Sequence, residues 1–147
     1  MSKRTQIVKA LAEALKVIDG SEGYNTNLFN NSYPKLRFWD EVNDFPAVYM
    51  TPGPERREYH PGNFTWCFFS IGVKIYVKSE DPQVDLEHLI EDVEKVIDAN
   101  RQIAYSEDAG HQTTEILIES ITTDEGLLAP YGVGEITIMV RYQKMTT

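Results

Sequence analysis

The first side chains to weigh for catalysis or metal binding are the imidazoles of His60, His88 and His111 and the thiol of Cys67. Imidazole titrates near neutrality and serves as base, acid or ligand, provided that a second group orients it. His60 lies in the Pro/Gly-rich run TPGPERREYHPGN, and His111 follows Gly110 in a polar stretch. Neither has a partner evident in the sequence, so both read as surface residues. His88 stands three residues after Asp85 and three before Glu91, which puts all three on one helical face. A carboxylate-bridged metal site would use that spacing, but it draws such pairs from several helices and only one is present here. Cys67 sits inside the apolar run FTWCFFSIGV, where it reads as a small buried hydrophobe without the basic neighbour that would activate a thiolate. A single cysteine forms no internal disulfide, and no CxxC or Cys/His cluster surrounds it. GxSxG, P-loop and GxGxxG patterns are missing. The expectation is a protein without catalytic residues, metal or cofactor.

Two other features exceed what a plain globular chain requires. Residues 80–100 carry eight acids (Glu80, Asp81, Asp85, Glu87, Glu91, Asp92, Glu94, Asp98) against one base, Lys95. Glu87, Glu91, Glu94 and Asp98 fall at helical steps of four, three and four, forming one ridge in which each like-charge neighbour costs about 0.2–0.5 kcal/mol. Such a ridge is a solvated face, a contact for a basic partner, or the wall of a passage where negative charge is wanted. The second feature is aromatic. In the run 64–77 the odd positions Thr65, Cys67, Phe69, Ile71, Val73, Ile75 and Val77 alternate inward, which leaves Trp66, Phe68 and Tyr76 on the opposite face, with Tyr59 and Phe64 nearby. Either a second layer covers them or they form a subunit interface, where aromatics concentrate. Arg56, Arg57, Glu58, Tyr59, Trp66 and Phe68 are the candidate interface residues. The two arginines are placed to meet a neighbour's acidic ridge head to tail, the kind of contact that closes a ring.

The elements that must carry these residues follow from periodicity. Ile7, Leu11, Ala14, Leu15 and Ile18 predict a helix over Lys3–Ile18, with Ser2 as N-cap and Asp19-Gly20 as its stop. Residues 21–34 are a long connection with room for a short strand. Lys35–Trp39 and Pro46–Thr51 read as short strands, and Thr51–Asn63 as a protruding loop between antiparallel strands. The strand Phe64–Val77 would reach some 45 Å at about 3.3 Å per residue, so it bends at Gly72 or projects. Asp81 caps a second helix with Pro82 in its first turn, buried through Leu86, Leu89, Ile90, Val93, Val96 and Ile97 and ending near Asn100. Residues 101–114 are polar and exposed. Glu115–Thr122 and Gly134–Lys144 are the last strands. This order predicts a single α+β domain over 1–147, a mainly antiparallel sheet with a long central hairpin and two helices packed on one face.

Composition narrows the partners. The 147 residues include 23 acids and 14 bases, a formal charge of −9. That excess disfavours wrapping nucleic acid, whose affinity rests on Lys and Arg, and disfavours docking on anionic membranes. No stretch approaches the roughly 20 apolar residues of a membrane span, and the N-terminus lacks the pattern of a signal peptide. A soluble protein of a reducing compartment is expected.

The run KLRFWDEVNDFPAVYMTPGPERREYHPGNFTWCFFSIGVKIYVKSEDPQVDLEHLIEDVEKVIDAN resembles tail terminator (tail-completion) proteins of long-tailed bacteriophages. The likeness lies in the N-terminal helix, the FP-x-x-Y stretch at Phe45–Tyr49, the long central hairpin and the IYV-x-x-x-DP entry to the second helix, over about Lys3 to Asn100. It implies a structural virion protein, assembled in the host cytoplasm, that forms a six-membered ring on the head-proximal end of the tail tube. Such a ring stops polymerisation, joins the head connector or neck proteins, and lets DNA pass without binding it specifically. The ridge Glu87, Glu91, Glu94 and Asp98 is then a candidate lumen or partner-facing surface. An acidic inhibitor that mimics DNA and targets a host nuclease or restriction system is the alternative, and would spread its acids over an elongated surface. A small enzyme built on His60 or His111 would need a concave pocket around one of them.

Overall fold

The computed structural model describes residues 2–145. Helix α1 spans Lys3–Ala14, capped by the Ser2 hydroxyl, which accepts a hydrogen bond from the Thr5 N–H at 3.1 Å. The apolar spacing carries on past Ala14, but Leu15–Val17 tighten into a 3-10 turn before Gly20 takes the left-handed conformation. Strands β1 (Ser32–Tyr33), β2 (Ala47–His60) and β3 (Phe64–Lys78) precede helix α2 (Pro82–Ala99); β4 (Glu115–Thr123) and β5 (Tyr131–Met145) complete one sheet in the order β1-β2-β3-β5-β4. All pairings are antiparallel except the two-residue parallel contact of β1 with β2. The fold is α+β, and the buried faces of α1 and α2 join the odd positions of β3 in one core.

Alternation in β3 holds to the residue: Cys67, Phe69, Ile71, Val73 and Ile75 are fully buried. α2 settles close to the sheet because β5 offers glycine beneath it. A Cβ on Gly132 would lie 2.9 Å from the Pro82 carbonyl oxygen, and one on Gly134 would lie 3.2 Å from Ile90. Asp81 does not cap α2 through its side chain; its φ of −125° and ψ of 72° turn the chain into the helix with Pro82 at the first turn.

Two expectations are corrected. Residues 51–63 are not a loop: β2 runs unbroken to His60 and only 61–63 turn. Pro52 and Pro54 are tolerated because β1 pairs only with Val48 and Tyr49, so this part of β2 is a sheet edge where no N–H is demanded. A register shift between Pro52 and Glu55 absorbs Gly53-Pro54. β3 pairs with β5 without a break from Phe64 to Lys78, through Gly72, and with β2 and β5 forms a three-stranded blade. Lys35–Trp39, conversely, is not a strand. This segment crosses the outer sheet face, where the Tyr76 hydroxyl donates to the Arg37 carbonyl at 2.6 Å and Trp39 and Phe45 pack on Tyr131. Side-chain anchors replace a ladder.

Candidate functional site

That flap divides the outer face of the sheet. Near the α2 end, Val42, Ala47, Tyr49 and Tyr76 form a second buried cluster beneath it. Tyr76 is thus covered by a second layer. Toward the hairpin tip no main-chain layer among the described residues lies over Trp66 and Phe68; both are half-buried and each is capped by a guanidinium. Arg56 sits 4.2 Å from the Phe68 ring centroid and Arg141, from β5, 4.4 Å from that of Trp66. Phe64 meets Trp66 edge-on at 4.9 Å. Each such cation–π contact contributes about 0.5–1 kcal/mol at an exposed site. Leu117 and Met145, 41% and 58% exposed, extend the apolar surface. Beside it a groove of about 380 Å³ crosses the sheet past Pro54, Ser70, Glu119 and Met139. Arg141 had no signal in the sequence, because only the β3–β5 register places it against Phe68 and Trp66.

The six candidate interface residues do not share one face. Arg56, Glu58, Trp66 and Phe68 lie outward, with Glu58 3.8 Å from Arg56 and 2.9 Å from His60. Arg57 and Tyr59 pair with Cys67 and Thr65, on the helix side. Arg57 Nε donates to Glu55 at 2.7 Å, and the other Glu55 oxygen accepts from the Tyr142 hydroxyl at 2.7 Å. Arg4 of α1 stacks on Phe69 at 4.5 Å and donates to the Gly53 carbonyl. The Glu55 side chain is only 6% exposed, a buried carboxylate at the base of the blade. Burial, reinforced by the bond to Glu55, holds the Tyr142 phenol well above its usual range. Register after the bulge puts Glu55 there, which periodicity alone does not reveal.

On α2 the ridge exists as spaced. Glu87, Glu91 and Asp98 are exposed and Glu94 is half-buried. Lys95 does not neutralise them; it turns to the Gly23 carbonyl at 2.6 Å and lies over the Tyr24 ring. Burial first, then Asp98, Glu91 and Glu87, push the Glu94 carboxyl above its ordinary pKa. The folded protein therefore binds this proton more tightly than the unfolded chain does, so stability through Glu94 grows as pH falls into the carboxylate range and is lost as pH rises. Glu94→Gln is expected to melt at or above the wild-type temperature at pH 7, the gap narrowing by about pH 4. Calorimetry at both pH values checks this, and a lower melting temperature at pH 7 would contradict the ridge's self-repulsion. Asp92 leaves the ridge altogether. Only 2% exposed, it accepts bonds from the backbone N–H groups of Asn25 and Thr26, each at 2.9 Å, and from the Thr26 hydroxyl. Its place on the flank of the apolar stripe, three after Leu89 and four before Val96, was the available signal.

The catalytic candidates are spread apart. His60 bonds Glu58 at the exposed tip, and His88 is exposed on α2. Nδ1 of His111 shares a 2.7 Å bond with the Ser106 hydroxyl while its ring stacks on Tyr105, an arrangement that orders the 101–114 connection. Cys67 is buried, and burial pushes its thiol up, away from thiolate. Among the described residues no group of three His, Cys, Asp or Glu could hold a metal ion, and no helix is long and apolar enough to cross a membrane.

A chain from the virion of a native gene transfer agent particle has this fold, with a TM-score of 0.52 at 10% identity over 94% of this chain and 95% of that one. A tail tube terminator protein of Escherichia phage T5 is 35% identical over 153 residues, covering 97% of this chain and 95% of that protein. The family model described as bacteriophage tail tube terminator protein matches residues 1–147. The chain belongs to the bacteriophage tail tube terminator family.

Proposed function

We propose that this protein is a structural component of the phage virion that forms a six-membered ring on the head-proximal end of the tail tube. The ring ends tube polymerisation and presents its other rim to the head connector or neck proteins. DNA passes through its lumen without specific binding, which a formal charge of −9 favours because the surface offers few net cations to phosphate. Assembly takes place in the host cytoplasm, and no step is catalytic. Alongside family membership, the observation that carries this reading is the outer face of the blade. Trp66 and Phe68, capped by Arg141 and Arg56, form an apolar patch with charged lids that suits a protein contact.

Size-exclusion chromatography with light scattering tests it, on the full chain alone and mixed with tail tube protein. A hexamer mass in either condition is expected. Trp66→Ala should cost the monomer only about 1 kcal/mol, because the ring is half-exposed, while strongly reducing the hexamer. A monomer that never assembles and instead competes with DNA for a nuclease would overturn the reading in favour of a DNA mimic.

A further inference from the structure

We infer that the cationic cleft between the first turn of α1 and the base of the blade receives the acidic face of α2 from a second copy of this chain. This rests on the ring proposed above and names the contact that would close it. The cleft, about 260 Å³, is lined by Ser2, Lys3, Arg4, Arg57, Tyr142 and Lys144. Four of these six are cations, drawn from α1, β2 and β5. The nearby carboxylate, Glu55, is buried, accepts from Tyr142 and Arg57 and lies 3.9 Å from Arg4 Nε, so it offsets part of the charge of the two arginines, while Lys3 and Lys144 join no ion pair among the described residues. Arg4 is fixed by the Gly53 carbonyl and the Phe69 ring, and its Nε is buried without a hydrogen-bond partner among the described residues. The site is a preformed concentration of positive charge in a chain whose formal charge is −9.

Charge complementarity identifies the occupant. The one local base, Lys95, is turned to the Gly23 carbonyl, which leaves the exposed Glu87, Glu91 and Asp98 and the half-buried Glu94 open to cations from elsewhere. Among the described residues none of them forms an ion pair with the cleft of its own chain; α2 begins over Gly132 and Gly134 at one end of β5, and Lys144 lies at the other end of the same fifteen-residue strand. Two different surfaces at separate places on one protomer make a heterologous contact, which generates a ring when the rotation closes. Arg57 belongs to this site and Arg56 does not, since they point to opposite sides of the sheet.

The test is a charge swap read by light scattering, with circular dichroism to confirm folding. Lys3→Glu with Lys144→Glu is expected to weaken association by about tenfold or more at low salt, because like charges then face each other. Glu87→Lys with Glu91→Lys should do the same, and the four changes together should restore assembly. Wild-type-like assembly of the first double variant overturns the cleft contact while leaving the ring standing. Weakening without rescue overturns α2 as the occupant. Binding of duplex DNA by the wild type, lost in Lys3→Glu with Lys144→Glu, overturns the protein partner in favour of phosphate. A wild-type chain that stays monomeric even with tail tube protein overturns the ring itself, and this contact with it.

Discussion

Replacing Asp92 with alanine is expected to destabilise the protein by about 2–3 kcal/mol and to loosen the segment between α1 and β1. The carboxylate is 2% exposed and joins no ion pair among the described residues; three donors from Asn25 and Thr26 take that role. A buried charge survives only where hydrogen bonds replace its hydration. Alanine removes the acceptor and leaves two backbone N–H groups and a hydroxyl facing an apolar gap. Each unsatisfied donor costs about 1–3 kcal/mol, reduced here because Asn25 is exposed and water can reach part of the site. The loss should be local in character. Amide exchange at Asn25 and Thr26 accelerates well beyond what global destabilisation predicts, while amides of β3 follow the global change. Equal stability of Asp92→Ala and wild type, within about 0.5 kcal/mol, would mean that the loop is held by its apolar contacts alone.

Asp92 also shows why some of the molecule could be read from the sequence and some could not. Helical periodicity is local, so the stripe from Leu86 to Ile97 and the ridge from Glu87 to Asp98 both appear where spacing puts them. Asp92 lies between those two faces, and only the arrival of a loop from 66 residues away decides that it is core rather than surface. Alternation in β3 is equally local, and every odd position from Thr65 to Val77 is buried. β2 was obscured because turn residues carry two meanings. Pro52 and Pro54 have no N–H to give, so TPGP breaks into a turn where a neighbouring strand would need those donors and continues as a bulged edge strand where none does, and that depends on how far β1 extends.

Surfaces shared by several strands lay further out of reach. Arg56 and Arg57 look equivalent as neighbours, but a strand sends them to opposite faces, one to the aromatic patch and the other to Glu55. Arg141 covers Trp66 because it pairs with Phe68, 73 positions away in the chain. KLRFW alternates like a strand, yet Leu36 and Phe38 are 46% and 60% exposed, because Tyr76 and Tyr131 bind this segment through its carbonyl and its neighbouring rings. Tertiary anchors outweigh β propensity there, as they often do in segments without a partner strand.

Those two faces of β3 should separate cleanly in mutants only three residues apart. Phe69→Ala is expected to cost about 3–5 kcal/mol, the range for truncating a fully enclosed aromatic ring. Phe69 has no exposed surface; it pairs with Glu55 on one side and Val140 on the other, and the Arg4 guanidinium closes it from above. Its loss therefore opens a cavity at the point where α1 is pinned to the blade, and it removes the ring that orients Arg4 toward the Gly53 carbonyl. Relaxation into that cavity is limited, since α1 is tied there and the strands on both sides continue past it. Against a typical stability of about 5–15 kcal/mol for a domain of this size, such a loss populates unfolded chains at moderate temperature. Urea unfolding of the monomer measures it: the midpoint falls with little change in slope, whereas Trp66→Ala moves the midpoint slightly and acts on assembly. If Phe69→Ala costs less than about 1 kcal/mol, the base of the blade is loosely packed and the Glu55, Arg4 and Tyr142 contacts, rather than the apolar core, hold α1 to the sheet.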